Sequence, residues 1–485
     1  MYNDKLGYDP ASPQNIEAFA LKLEDKTFRD VLLEKGNINE SSVESYANKF
    51  RKGGLGNLLE EVYFGYKVNS KQEADFPEAG VELKVTPYEI TKKGELRAGE
   101  RLVITMINYD GPIEMDFMKS HAWEKMRLIL LIYYCRNKQL NSNLLYKIGF
   151  VKLFTPPEID LEIIKKDYDF IVKTIRDGRA HELSESDTMY LGACTKGANA
   201  EKSTVSQYYG DNIPARKRAF CFKNSYMTYV LNHYIAGVQS DNSILKDINS
   251  IKENTFEQIL EQIVSRYVGK SDKELCELFG RDYNNNKAQW NELACKILGI
   301  RDEHADEFVK ANIRVKTIRV EENNSIKENM SFSPFKFMEL VNQDFENSDL
   351  HKFFEETRLF FFIWKRDGNL YKVKGCQLWR MPYNDLEVIV RNEWEQYKNI
   401  IQYGVKFIKR IDKKGKITFK NNLPNKSDTQ IIHIRPHSKM AAYRFNNGES
   451  YGDVKRDANM LPNGEYMTTQ SFWINNNYIL KQLKD

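Results

Sequence analysis

The chain has 485 residues, which is too long for one compact core and sets an expectation of two or three domains. Hydrophobic residues make up 41% and charged residues 29%, the balance of a globular protein rather than a disordered or membrane-embedded one. A net charge of +4 permits nucleic acid as a partner without demanding it, because a local basic cleft matters more than the total. The six cysteines form no C-x-x-C pair and the seven histidines no H-E-x-x-H, which argues against zinc knuckles, thioredoxin-type redox chemistry and zincin chemistry. The N-terminus carries no signal-peptide pattern, and the longest apolar run, near Leu128 to Tyr134, is too short to span a bilayer. A cytoplasmic protein with reduced thiols is expected.

In chain order, Gly53, Gly54 and Gly56 seed an amphipathic helix that ends on Glu60 and Glu61. Asp75 follows, then Pro77 and Gly80, then a strand predicted from Gly80 to Pro87. Residues two apart on a strand share a face, so Glu82 and Lys84 project together while Val81 and Leu83 face the core. Asp75 can curl back towards Glu82 across the loop. Two carboxylates at one point form a hard-oxygen site suited to magnesium, and the lysine brings positive charge beside a scissile phosphate. A bare D-x6-E-x-K string is common, and an exposed E-x-K is usually a solvated ion pair, so the flanks carry weight. One helix acid can complete the site. Lys125 stands before the apolar strand 127–134, either as a phosphate contact or as a plain flanking charge. Another strand is predicted over 101–108.

The second half repeats the first. The segment from Pro157 to Ile164 is echoed from Pro382 to Ile389, and each opens a long helix with an aromatic inside (Tyr168; Trp394) and a glycine at its end (Gly178; Gly404). The segment Phe220 to Tyr226 is echoed by Phe472 to Tyr478, and 52–65 faintly by 289–299. The expected domains are 1–237 and 251–485, joined by a polar linker over 238–250. The fold class is α/β (α+β), each half a mixed sheet flanked by helices.

The strings GGLGNLLEE, SKQEADFPEAGVELKVTP, MKSHAWEK, CTKGANA, AFCFKNSYMT, NMSFSPFKFMEL, IRPHS and TQSFWINNNYI, in this order along the chain, resemble the MutH-like endonucleases. The resemblance is strongest to the tandem-domain type II restriction enzymes that cut GATC. It implies two restriction-endonuclease-like domains, a Mg2+-dependent double-strand cut leaving 5′-phosphate ends, and a cognate DNA methyltransferase that protects host DNA without having to bind. By this resemblance Asp75 and Glu82 hold the metal and Lys84 activates water. The helix acid falls on Glu60 or Glu61, with Glu60 preferred, and the additional active-site lysine on Lys125. Base-reading positions fall on Lys196 in the first half and on Arg435 and Trp473 in the second. Lys196 suits either a guanine or a phosphate. Cys194 and Cys221 stand where the family carries an arginine and a tyrosine. In the second half Arg314 replaces the glutamate beside Lys316, and Ala294 and Cys295 replace the helix acids, so that half is expected to bind DNA without cutting it. One active site per chain then requires a homodimer on DNA, or two sequential nicks.

Overall fold

The computed structural model describes residues 6–36, 54–66, 73–197, 203–211, 213–284, 286–411, 413, 415 and 417–484. Gly53, residues 70–72 of the D-x6-E-x-K flank and Ala198–Ala200 of the CTKGANA string lie outside them. The chain divides into two compact units, Met1–Thr255 with His304–Ile313, and Phe256–Glu303 with Arg314–Asp485. Among the described residues no helix is long and apolar enough to cross a membrane.

The first unit is built on a four-stranded mixed sheet of β1 (Glu82–Ile90), β2 (Leu96–Ala98), β4 (Ile129–Cys135) and β5 (Lys147–Phe154), ordered β2-β1-β4-β5. β1 and β4 run parallel, with Glu82 beside Ile129 and Lys84 beside Leu131. β4 is buried from Ile129 to Tyr133, as expected for a central strand covered on both faces. A three-stranded antiparallel sheet joins β3 (Leu102–Met106), β7 (Arg218–Phe222) and β6 (Leu191–Thr195) in the order β3-β7-β6. The long helix Glu158–Arg176 buries Ile163, Ile164, Tyr168, Ile171 and Ile175 along one face.

The second unit repeats this plan. Its sheets are β8 (Ile313–Val320), β10 (Arg358–Asp367) and β11 (Leu370–Trp379), ordered β8-β10-β11, and β9 (Met330–Phe335), β15 (Gln470–Ile474) and β14 (Ile432–Pro436), ordered β9-β15-β14. The correspondence holds residue by residue. Phe222 pairs with Leu102 and Leu191, and Ile474 pairs with Met330 and Ile432. Asp160 accepts from Tyr226 Oη in one unit, Asp385 from Tyr478 Oη in the other. Asp167 accepts from the amides of Met189, Tyr190 and Leu191; Glu393 accepts from those of Gln430, Ile431 and Ile432. The second helix needs one more residue between its two carboxylates, and a π-helical segment, Asp385–Val390, absorbs it. Near the start of each unit a capping box, Thr27 with Asp30 or Ser271 with Glu274, sets a helix against the last strand of the main sheet through the bridges Thr27 to Lys147 and Ser271 to Lys372.

The stretch 238–250, expected as a linker, is instead packed into the first unit. Glu307, on the short helix Asp306–Ala311, accepts from the amides of Ile244 and Leu245 and from Ser243 Oγ. The following helix, Ile248–Glu253, buries Ile251. On the same short helix Lys310 Nζ donates to Asp160 Oδ1 at 2.7 Å and to Tyr234 Oη at 2.7 Å, with the rings of Tyr190 and Tyr229 around it. An ammonium and a carboxylate this deeply buried require each other, and this pair seats 304–313 in the first unit.

Candidate active site

The site begins with a tight turn. Phe76 and Val81 exchange both backbone hydrogen bonds, at 2.9 and 3.2 Å, and Gly80 closes the turn with φ +63°. A β-carbon at Gly80 would meet only the movable end of the Arg127 side chain, so it is the positive φ that calls for glycine here. The turn returns Asp75 to the start of β1, where its Oδ2 accepts from the Leu83 amide at 2.8 Å. The curl-back expected from Pro77 and Gly80 is therefore seen as a covalently short, hydrogen-bonded loop.

Glu82 and Lys84 share one face of β1, and Glu82 is only 3% exposed. Its two oxygens are divided between two lysines: Oε1 accepts from Lys84 Nζ and Oε2 from Lys125 Nζ, each at 2.8 Å. Lys125 lies in the last turn of the helix His121–Met126, whose N-cap Ser120 accepts from the Trp123 amide. It also donates to the Glu73 carbonyl, so one ammonium ties the helix, the entry loop and β1 together. Neither role weighed for Lys125 in the sequence foresaw this anchoring, because the partner lies 43 residues away and nothing local marks it.

The helix acids separate. Glu60, in the π-helical turn Leu59–Tyr63, is half-buried, whereas Glu61 faces solvent. Burial, then the Asp75 and Glu82 carboxylates, push the Glu60 carboxyl above its ordinary range. Burial, then Glu82, push Asp75 up as well, against the lowering effects of the Leu83 amide, Lys84 and Lys125. Glu60, Asp75 and Glu82 thus sense one another as like charges. Among the described residues no three His, Cys, Asp or Glu side chains are already drawn together as a metal cage. Magnesium needs only one or two carboxylates plus water and phosphate oxygens, and Asp75 and Glu82 could supply these if the ion displaced Lys84 from Glu82.

The second unit lacks this chemistry. On β8 Arg314 takes the place of Glu82, is exposed, and lies over the Phe353 ring at 5.8 Å. Lys316 is held below its ordinary range by burial. On the helix Ala288–Leu298, Ala294 and Cys295 are buried and offer no carboxylate. Glu307, the nearest upstream acid, is engaged with residues 243–245.

The expected base-reading positions lie on equivalent strands. Cys221 pairs with Gly192, and Trp473 with His433; Cys194 pairs with Ala219, and Arg435 with Ser471. Arg435 therefore occupies the position of Cys194, and Trp473 that of Cys221. Arg435 is exposed, with its guanidinium 5.6 Å from the Trp473 ring. Trp473 Nε1 and His433 Nε2 are shielded from solvent without a hydrogen-bond partner among the described residues. In the first unit the same face carries two buried thiols; a hydrogen bond with Cys221 lowers the Cys194 thiol to about 6, with Arg101, Lys196 and Arg218 contributing. Lys196 is half-buried at the end of β6, its amide bonded to the Lys217 carbonyl at 2.7 Å. The structure thus groups Glu60, Asp75, Glu82, Lys84 and Lys125 at one place, with Lys196 on the other sheet of the same unit and Arg435 and Trp473 in the second unit.

A family model described as the DNA mismatch repair enzyme MutH matches residues 64–167, a span that holds Asp75, Glu82, Lys84 and Lys125 and starts just after Glu60. The mismatch repair protein MutH of Serratia proteamaculans is 27% identical over 176 residues, 36% of this chain and 75% of its own length. MutH of an Escherichia coli strain is 24% identical over 228 residues, 47% of this chain and 95% of its own. The type II restriction enzyme Sau3AI of Staphylococcus aureus is 36% identical over 462 residues, 90% of this chain and 93% of that enzyme. A match at that level running through both units, with MutH matched over less than half of the chain, means that this protein belongs to the family of the type II restriction enzyme Sau3AI, site-specific deoxyribonucleases of MutH-like fold.

Proposed function

We propose that the first unit is the cutting half of a Mg2+-dependent type II restriction endonuclease that cleaves both strands of DNA at GATC and leaves 5′-phosphate ends. The observation that carries this reading is the return of Asp75 to the head of β1 beside Glu82, whose two oxygens are held by Lys84 and Lys125, with Glu60 near enough for an electrostatic interaction with them and no more. Asp75 and Glu82 would hold the ion and Glu60 would support it. Bound there, a divalent ion would polarise the scissile phosphate and acidify a water molecule.

The chain's own residues do the rest. Lys84, released from Glu82, carries its charge to the attacking water and to the phosphate that gains charge in the transition state. Lys125 keeps Glu82 aimed at the site. The expected division of labour, cutting in 1–237 and DNA binding without cutting in 251–485, is kept as a functional proposal, while 238–250 and 304–313 pack with the first unit. The second unit holds DNA through Arg435 and Trp473 without cutting, and Lys196 contacts DNA from the first unit. Two chains on one site, a homodimer on DNA, supply the two cuts; a cognate methyltransferase protects host DNA. Digestion of a mapped plasmid with and without Mg2+, followed by sequencing of the ends, tests the reading. Linear fragments ending at GATC only when Mg2+ is present support it. Cutting in EDTA, or ends at unrelated sequences, would refute it.

A further inference from the structure

The second unit carries a hairpin that its counterpart lacks. Twelve residues separate Gly178 from Leu191 in the first unit, and 27 separate the equivalent Gly404 from Ile432. The shorter stretch forms two 3-10 turns and contains one arginine against three acids. The longer one forms an antiparallel ribbon, β12 (Phe407–Ile411) with β13 (Ile417–Asn421). Between Val405 and Asn421 the sequence holds six lysines and one arginine against one aspartate.

The ribbon has two different faces. Phe407 and Phe419 turn inward and pack on Tyr443, Phe445 and Tyr451, with ring centroids 4.7 to 5.8 Å apart. Lys409 is on this side and is tied to Glu449 at 3.3 Å. This packing supplies what an isolated two-stranded hairpin lacks. The outer face alternates with it and presents Lys406, Ile408 and Arg410 opposite Thr418 and Lys420. All five are exposed, Ile408 at 61%. Among the described residues, Lys406, Arg410 and Lys420 make no ion pair on that face. A basic ribbon packed from behind, whose outer cations make no ion pair among the described residues and have only Asp428 as an electrostatic neighbour of Lys420, is complementary to a polyanion.

We propose that this ribbon is a duplex-DNA contact that follows the phosphate backbone beside the recognition sequence, with Arg410 and Lys420 on phosphates. The contact rests on DNA being the substrate, but not on magnesium or on GATC. It adds affinity without reading sequence, since phosphate contacts position a protein and base contacts specify.

The test uses the full-length protein in EDTA, where no cutting is expected, and duplexes of about 30 base pairs with and without GATC. Arg410→Ala/Lys420→Ala should weaken binding to both duplexes by the same factor, about 10- to 60-fold at 0.1 M salt, and lower the slope of log affinity against log salt by about two. Arg410→Lys/Lys420→Arg should restore both. The side chains touch no core, so the melting temperature should not move. An unchanged affinity and slope would overturn the proposal. So would a loss confined to the GATC duplex, which would make these residues base readers. If the enzyme proves to cut a different sequence, the Arg410→Ala/Lys420→Ala effect should persist on that sequence, which separates failure of this contact from failure of the GATC reading.

Discussion

Replacing Lys84 by alanine should make the protein bind divalent ions more tightly while stopping cleavage. The Lys84 ammonium lies 2.8 Å from Glu82 Oε1, and Lys125 holds the other oxygen at the same distance. An ion on that carboxylate would stand about 5 Å from Lys84, where a divalent and a unit charge repel by about 7 kcal/mol at an effective dielectric of about 20. Lys84 is partly exposed, with 22% of its side chain accessible. Solvent screening therefore cuts this several-fold. A residual of about 1.5 to 3 kcal/mol corresponds to a dissociation constant lowered roughly 10- to 100-fold. The measurement is the melting temperature against Mg2+ or Ca2+ concentration, since an ion that binds only the folded state stabilises it by a term logarithmic in its concentration over Kd. The Lys84→Ala curve should rise at lower ion concentration, and Lys84→Arg, which keeps the charge, should track the parent. Equal or weaker binding by Lys84→Ala would refute the idea that lysine and metal compete for Glu82.

Glu82→Ala should abolish plasmid cleavage and leave DNA binding, measured by gel shift, largely intact; full cutting would remove Glu82 from the site. Asp75→Asn and Glu60→Gln should each raise the melting temperature in EDTA at pH 7. Both carboxyls are raised in the folded state, so ionising them costs stability once pH passes above the unfolded value, and the penalty disappears below it. The gain should vanish near pH 4, and the parent's Mg2+ affinity should fall as pH drops through the raised range. Lys310→Met should destabilise the first unit by about 3 kcal/mol, because Asp160 is left buried with only tyrosine hydroxyls; an unchanged thermal or urea midpoint would contradict that pairing. Arg314→Glu should not create a second cutting site: in a Glu82→Ala background it should leave cleavage undetectable, since Ala294 and Cys295 still stand where the first unit's helix carries its acids, and the helix's own Glu292 is paired with Arg281.

Asp75, Glu82 and Lys84 were legible because period-two alternation and a Pro/Gly loop are local signals, and the structure places the three together. The repeat was legible from its order along the chain, and register, the Asp160/Asp385 tyrosine contacts and the Asp167/Glu393 caps repeat it in space. Between Glu60 and Glu61 the sequence offered no physical criterion; the π-helical turn separates them, one towards the carboxylates and one towards water. The linker expectation over 238–250 failed for a related reason. Polar composition signals solvent only when no buried partner exists, and here Glu307 satisfies those amides from more than sixty residues away.

What the sequence determined by itself was therefore the chemistry present and its order: carboxylates and a lysine at strand spacing in one half, and an arginine where the glutamate should be in the other. Only the tertiary structure decided how that chemistry is held. Lys125 is drawn onto Glu82, residues 304–313 are seated in the first unit by Lys310 and Asp160, and a run of lysines becomes a ribbon with one packed and one open face. Each depends on contacts between residues distant in sequence, and burial and electrostatics act through distance in space, which local pattern does not encode.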